Sequence, residues 1–129
     1  MLRRMRFLVP LLLILAALIN LAPVVGVLGA PRLRALYGID ASAPELAILL
    51  RHRALLFGIV GALLLAAVLR PELRAAAIAA GLVSMLGFIA IARLEGGAHG
   101  ALARVVAADW AGSAALLAAL LLLGLRAAR

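Results

Sequence analysis

The residues best equipped for chemistry stand in a row. Arg51, His52 and Arg53 follow one another about two helical turns into an apolar stretch that opens at Glu45. Far along the chain Asp109 sits alone in another apolar stretch, beside the single tryptophan, Trp110. A guanidinium can hold a carboxylate or phosphate through two parallel hydrogen bonds, an imidazole exchanges protons near neutral pH, and a carboxylate can partner the one or serve as a base to the other. Successive residues on a helix are about 100° apart, so three in a row cannot address one partner. We therefore expect one of Arg51 and Arg53 to pair with Asp109 inside the fold while the other reaches the interface. His52, about two turns beyond Glu45 on nearly the same face, could bond to that carboxylate or to a ligand. Asn20 approaches the same level from the first apolar stretch. Arg51, His52, Arg53, Asp109, Glu45 and Asn20 are thus the candidates for a ligand site or a structural ion pair, and none is assigned a catalytic role.

The elements that must position these residues are written in the hydropathy. Of 129 residues 68% are hydrophobic, and the mean hydropathy is +1.26, far above the roughly half apolar content of soluble domains. Four apolar stretches, about 7–28, 46–69, 75–92 and 102–125, each approach the ~20 residues a helix needs to cross the hydrocarbon core. They leave no room for a soluble domain. The fold class expected is all-α: a single transmembrane domain over residues 1–129, built as an up-down four-helix bundle.

Within the first stretch Arg3, Arg4 and Arg6 precede the apolar run, as in the basic region of a signal peptide. The run continues through Val27 and Leu28 with little small-residue character at its exit, so an uncleaved first span is expected. Residues 30–44 form the longest polar connection, where Leu33, Leu36 and Ile39 imply a short amphipathic turn lying in the interface. Ser42, Pro44 and Glu45 read as cap, first helical residue and first-turn acid of the second span. Arg70-Pro71-Glu72-Leu73-Arg74 reads as a tight turn. Ala77 with Gly81 and Ala80 with Ser84 give the spacing that lets membrane helices approach closely, and Ala107, Ala111, Ala115 and Ala119 mark a packing face on the fourth span.

Short connections make neighbouring spans antiparallel, so the second and fourth run in the same direction. Arg51 to Arg53 and Asp109 then lie at a common depth, each roughly 10 Å along its helix. A charged group at that depth costs roughly 3 kcal/mol on insertion scales, so Asp109 should find a cation. Seven arginines fall at the end carrying both termini (Arg3, Arg4, Arg6, Arg70, Arg74, Arg126, Arg129) and six at the other; without the two inside a span the balance is seven to four. That bias places both termini in the cytoplasm.

Several chemistries are disfavoured. The net charge of +8 comes from 13 arginines, but these cluster at span ends without interleaved aromatics, which is the pattern of topology signals rather than of nucleic-acid binding. There is no cysteine, hence no thiol chemistry, thiolate metal site or disulfide. His52 and His99 do not share a helical spacing, so neither haem nor a transition metal is expected, and no cofactor is assigned.

The order Leu36-Tyr37-Gly38, the segment Leu49-Leu50-Arg51-His52-Arg53-Ala54-Leu55-Leu56-Phe57-Gly58, then Gly81-Leu82-Val83-Ser84-Met85-Leu86 and Ala103-Arg104-Val105-Val106 before Asp109 resemble a family of small bacterial four-span membrane proteins, similar in layout to DoxX-like proteins. The resemblance covers nearly the whole chain and implies a fold and a membrane location, with no catalytic residues to carry over. Some proteins of that kind bear the label phosphopantetheine adenylyltransferase. The soluble enzyme of that name uses an α/β fold with an HxGH-type motif, which neither His52-Arg53-Ala54-Leu55 nor His99-Gly100-Ala101-Leu102 matches.

Three functions compete. The first is a non-catalytic accessory or scaffold protein that meets a protein partner, or a second copy of itself, through small-residue helix faces; Asp109 is then architectural. The second is a binder or carrier of a small amphipathic or lipid-like anion in a polar cup near Arg51, Arg53 and Asp109. The third is an intramembrane enzyme using His52 with Asp109 or Glu45 as acid and base on a lipid, for which the constellation has no reaction-specific spacing. In every case membrane lipids are the immediate partners.

Overall fold

Within lipid a backbone satisfies its polar groups only in helices or closed barrels, and each apolar run of this chain takes the helical route. The computed structural model describes residues 2–128, with side chains from Arg6 onward. Its long helices are α1 (Leu2–Leu21), α3 (Pro44–Leu69), α4 (Arg74–Leu94) and α5 (Ala101–Ala127); the short helix α2 (Ala30–Tyr37) lies between the first two. Arg3, Arg4 and Arg129, counted above for orientation, lie outside the described side chains.

Four segments are long and apolar enough to span a membrane: Arg6–Leu28, Pro44–Leu69, Pro71–Leu94 and Ala101–Ala127. At 1.5 Å per residue each exceeds the roughly 30 Å hydrocarbon core. Ile48, Leu49, Ile59, Val83 and Leu121 stand exposed on the outer face, a surface that only lipid tails cover without cost. The chain is a small multi-span membrane protein, all-helical, with its four long helices packed as a bundle.

The helices follow one another around a ring: α1 packs on α3 and α5, and α4 completes the square against the same two. Their close approaches run in opposite register. Gly81 faces Leu116 and Gly112 faces Met85 between α4 and α5, while Leu21 at the end of α1 meets Gly61 of α3, and Val24 just beyond it meets Gly58. Neighbours are therefore antiparallel, and α3 and α5 start at the same end of the bundle. Val9, Leu13, Leu64, Ile78, Met85 and Leu116 form the buried apolar centre.

Glycine lets the helices come this close. A Cβ on Gly61 would stand 2.6 Å from Leu21 Cγ, and one on Gly81 2.6 Å from Leu116 Cδ1; both are inside van der Waals contact. The expected close spacing of Ala77 and Gly81 is realised, since both are buried. The alanine series on α5 departs from expectation: Ala115 and Ala119 are buried, but Ala107 and Ala111 are exposed. Steps of four residues advance by about 400°, so a four-residue series drifts about 40° per step off any one face. The face that α5 buries is instead Asp109, Gly112, Ser113, Leu116 and Ala119.

At the end of the bundle where α3 begins, α1 gives way at Leu21 to a 3-10 segment, Ala22–Leu28, in which Pro23 removes an amide donor. Helix α2 then folds against the bundle with Leu33 and Tyr37 buried and Arg32 and Arg34 exposed, the amphipathic turn expected from the sequence. It ends on Gly38, whose left-handed φ of 67° no β-branched residue would adopt at low cost. The start of α3 differs from expectation in one detail. Pro44 is its first residue, so the cap position falls to Ala43, and Ser42 instead donates its backbone N–H to Asp40 Oδ1 at 3.1 Å. Arg34 closes that loop with an ion pair to Asp40 at 3.3 Å.

Candidate functional site

Arg53 and Phe57 are four residues apart on α3 and so share a face. The Arg53 guanidinium carbon lies 4.7 Å from the centre of the Phe57 ring, 4.6 Å from that of Phe88 on α4 and 5.4 Å from that of Tyr37 at the end of α2. Three ring faces therefore replace part of the hydration that this cation loses by entering a span. Burial raises the Tyr37 phenol above its ordinary value; the Arg53 charge opposes that rise and the Asp109 charge adds to it.

Arg51 takes a different course. Its Nε donates to the carbonyl of Val27 at 2.8 Å, which satisfies a carbonyl near the end of the 3-10 segment and ties that segment to α3. Arg51, His52 and Glu45 are all exposed, as are Glu95 and His99 at the same end of the bundle. The direct pair expected between Asp109 and one of the two arginines is not formed. The reason is the order of helices: α3 and α5 run in the same direction and share a depth, but they occupy opposite corners of the square. Arg53 acts on the Asp109 carboxylate only through space.

Asp109, 6% exposed, and Asn20, 2% exposed, are the buried polar groups at this level, with Ser113 one turn deeper on α5. Asn20 Nδ2 donates to the Ala16 carbonyl at 2.9 Å and reaches Met85 Sδ at 3.7 Å. Asn20 Oδ1 and Ser113 Oγ are buried with no hydrogen-bond partner. An unpaired acceptor of this kind costs roughly 1–3 kcal/mol and is uncommon in a settled core.

Asn20 and Asp109 line one cavity of about 450 Å³ between α1, α2, α3 and α5, together with Ile19, Pro23, Leu36, Phe57, Val105 and Ala108. Leu18, Ala22, Ala35 and Arg104, also in its lining, are exposed, so the cavity opens sideways at the seam of α1, α2 and α5. A second space of about 410 Å³ lies between α3 and α4, bounded by Arg53, Leu56, Val60, Val83, Gly87 and Phe88; Phe57 borders both spaces and separates them.

Of the six sequence candidates, then, Asn20 and Asp109 meet at one cavity, Arg53 stands behind its Phe57 wall, and Arg51, His52 and Glu45 remain outside it. Among the described residues no three His, Asp or Glu side chains converge as metal ligands do. The sequence reading missed the aromatic surround of Arg53. Phe57 was legible from its four-residue offset; Tyr37 and Phe88 arrive from other helices and carried no such signal. Comparison with family models, curated proteins and solved structures gives no match, so the likeness in layout to DoxX-like proteins comes with no family assignment.

Proposed function

We propose that the protein binds a small lipid-like molecule, taken laterally from the bilayer, in the cavity between α1, α2, α3 and α5. The observation that carries this reading is the meeting of the buried Asp109 and Asn20 at one cavity inside the spans, with the Asp109 carboxylate held there by no ion pair. A carboxylate inside a span costs up to roughly 3 kcal/mol on insertion scales, and such residues mark ligand or ion paths by default. A purely architectural group would be expected to hold a partner; this one has no ion pair. The volume of about 450 Å³ falls within the roughly 300–1,000 Å³ of small-molecule sites. The largely apolar lining suits a hydrocarbon body, and the lateral mouth gives it a path from lipid. The reading assigns binding and no chemical step. It keeps the protein in a bacterial inner membrane with both termini cytoplasmic, on the arginine bias of the span ends and the DoxX-like layout.

The test is native mass spectrometry of the detergent-purified protein beside Ala108→Phe, with circular dichroism to verify that both are helical. Ala108 lines the cavity, and a phenyl ring there occupies it without changing charge. A discrete co-purified mass should accompany the wild type and be lost from the variant. Bulk lipid alone on both proteins, or the same mass on both, would refute the reading and return a scaffold acting through its helix faces as the better account.

A further inference from the structure

We infer that the groove between α3 and α4 is a second binding site, which takes a single long-chain carboxylate from the bilayer with its head group on the Arg53 guanidinium. The guanidinium carbon stands 4.7 Å from the Phe57 ring centre and 4.6 Å from that of Phe88, and all three residues line the groove. Ring faces offset the charge, but a guanidinium also carries five N–H donors that call for acceptors. Arg51 and Arg74 each donate to a backbone carbonyl. Among the described residues Arg53 has neither a hydrogen-bond acceptor nor an ion pair, although arginines within spans almost always pair with an anion or a carbonyl. It is only partly buried, so its donors stay open to a molecule in the groove. Asp109 lines the other cavity, beyond Phe57, and not this groove; its charge weakens the positive potential of Arg53 but fills none of the donor positions.

The shape of the groove supplies the hydrocarbon half of the ligand. On α3, Leu56, Phe57 and Val60 follow Arg53 at three, four and seven residues, and on α4 Gly87, Phe88 and Ile91 follow Ser84 at the same offsets; each set is one helix face. The two helices are antiparallel, so Arg53 and Ile91 mark the outer end, and Val60 lies about 10 Å deeper towards the bilayer centre. Gly87 keeps the middle open, since a Cβ there would meet no heavy atom within 4 Å. Leu56, Val83 and Ile91 are exposed at its edges, which gives lipid chains a lateral entry. The space of about 410 Å³ thus has one cation at its outer end and an apolar floor below it. An ammonium head would bring only donors and a like charge. A neutral ester or alcohol can accept, but hydrogen bonds to an ionised acceptor are roughly twice as strong, and a carboxylate matches the guanidinium fork with two oxygens. A phosphate monoester would carry about −1.5 to −2 charges to a groove with one cation, and a phospholipid brings two chains to a single slot.

Three probes of equal chain length, dodecanoate, dodecanol and dodecylamine, are titrated into the purified full chain in a nonionic detergent, with complexes counted by native mass spectrometry. Dodecanoate should form a one-to-one complex at about tenfold lower concentration than either of the others. Gly87→Leu, which fills the groove from a position with room for a side chain, should abolish that complex. Arg53→Gln should weaken dodecanoate about tenfold and leave dodecanol unchanged; if that variant fails to fold, Gly87→Leu carries the test. Ala108→Phe, which fills the other cavity, should leave dodecanoate binding as it is. Dodecanoate displaced by Ala108→Phe and untouched by Gly87→Leu would overturn the second site while the first cavity keeps its reading. Dodecanol or dodecylamine binding as tightly as dodecanoate, or no saturable complex that Gly87→Leu abolishes, would also overturn it, whatever the fate of the first cavity. Phosphatidylglycerol displacing dodecanoate at equal concentration would overturn the choice of a single-chain carboxylate in favour of bulk phospholipid.

Discussion

Gly61 is the point at which α1 and α3 come closest, and replacing it with alanine gives a change whose size can be worked out. The added methyl would stand 2.6 Å from Leu21 Cγ, 2.7 Å from Leu21 Cδ2 and 3.3 Å from the Ala17 carbonyl oxygen, where ordinary contact begins at 3.4 Å. The deficit of roughly 0.8 Å falls on a branch carbon next to the backbone of α1, so the helix itself has to move. Overpacking of this kind costs about 1–3 kcal/mol. Against it, alanine is about 1 kcal/mol better than glycine inside a helix. Gly61→Ala should therefore be destabilised by about 0–2 kcal/mol. The control is Gly87→Ala, on α4, where an added Cβ meets no heavy atom within 4 Å; it receives the propensity gain alone. The two variants should differ by about 1–3 kcal/mol in unfolding by sodium dodecyl sulfate from mixed micelles, followed by circular dichroism. Equal stability, or Gly61→Ala the more stable, would refute the close-packing account of the α1–α3 contact. Because α1 also carries Asn20, the same displacement should weaken ligand binding at the cavity.

Two further outcomes follow from the aromatic surround of Arg53. Tyr37 is the single tyrosine of the chain, and its phenol is raised from 10.0 chiefly by burial, so an alkaline absorbance titration of the folded protein should run above that of the unfolded chain. Since folding favours the neutral phenol, this contribution is intact below about pH 10 and is lost as pH rises through the folded value, a slope that Tyr37→Phe should lack. Phe88→Leu removes one ring face from Arg53 and should cost about 0.5–2 kcal/mol in the same micellar unfolding experiment, whereas Phe88→Tyr, which keeps a ring, should recover most of it.

The four spans were legible in the sequence because hydropathy is a local quantity: about twenty consecutive apolar residues have one stable conformation in lipid, whatever their neighbours are. The amphipathic turn at α2 was legible for the same reason, through Leu33 and the arginines around it. Which side chains meet was a different matter. That Asp109 and Arg53 share a depth followed from counting residues, but depth says nothing about which corner of the bundle each helix occupies, and across the diagonal the two groups stay apart. The alanine series on α5 pointed to a face that the 3.6-residue period rotates out of contact, and the face actually buried is the one that brings Asp109 and Ser113 inward. The cavity depends on more still: the 3-10 segment after Leu21, the return of α2 against the bundle, and a Phe57 ring held by its contact with Arg53. By itself the sequence determined the solvent of this protein, its helices and the polar residues available to them. Only the tertiary structure decided which of those residues face one another, because helix rotation and order around the bundle are set by contacts between distant segments, such as Gly61 with Leu21 and Gly81 with Leu116, that no local pattern encodes.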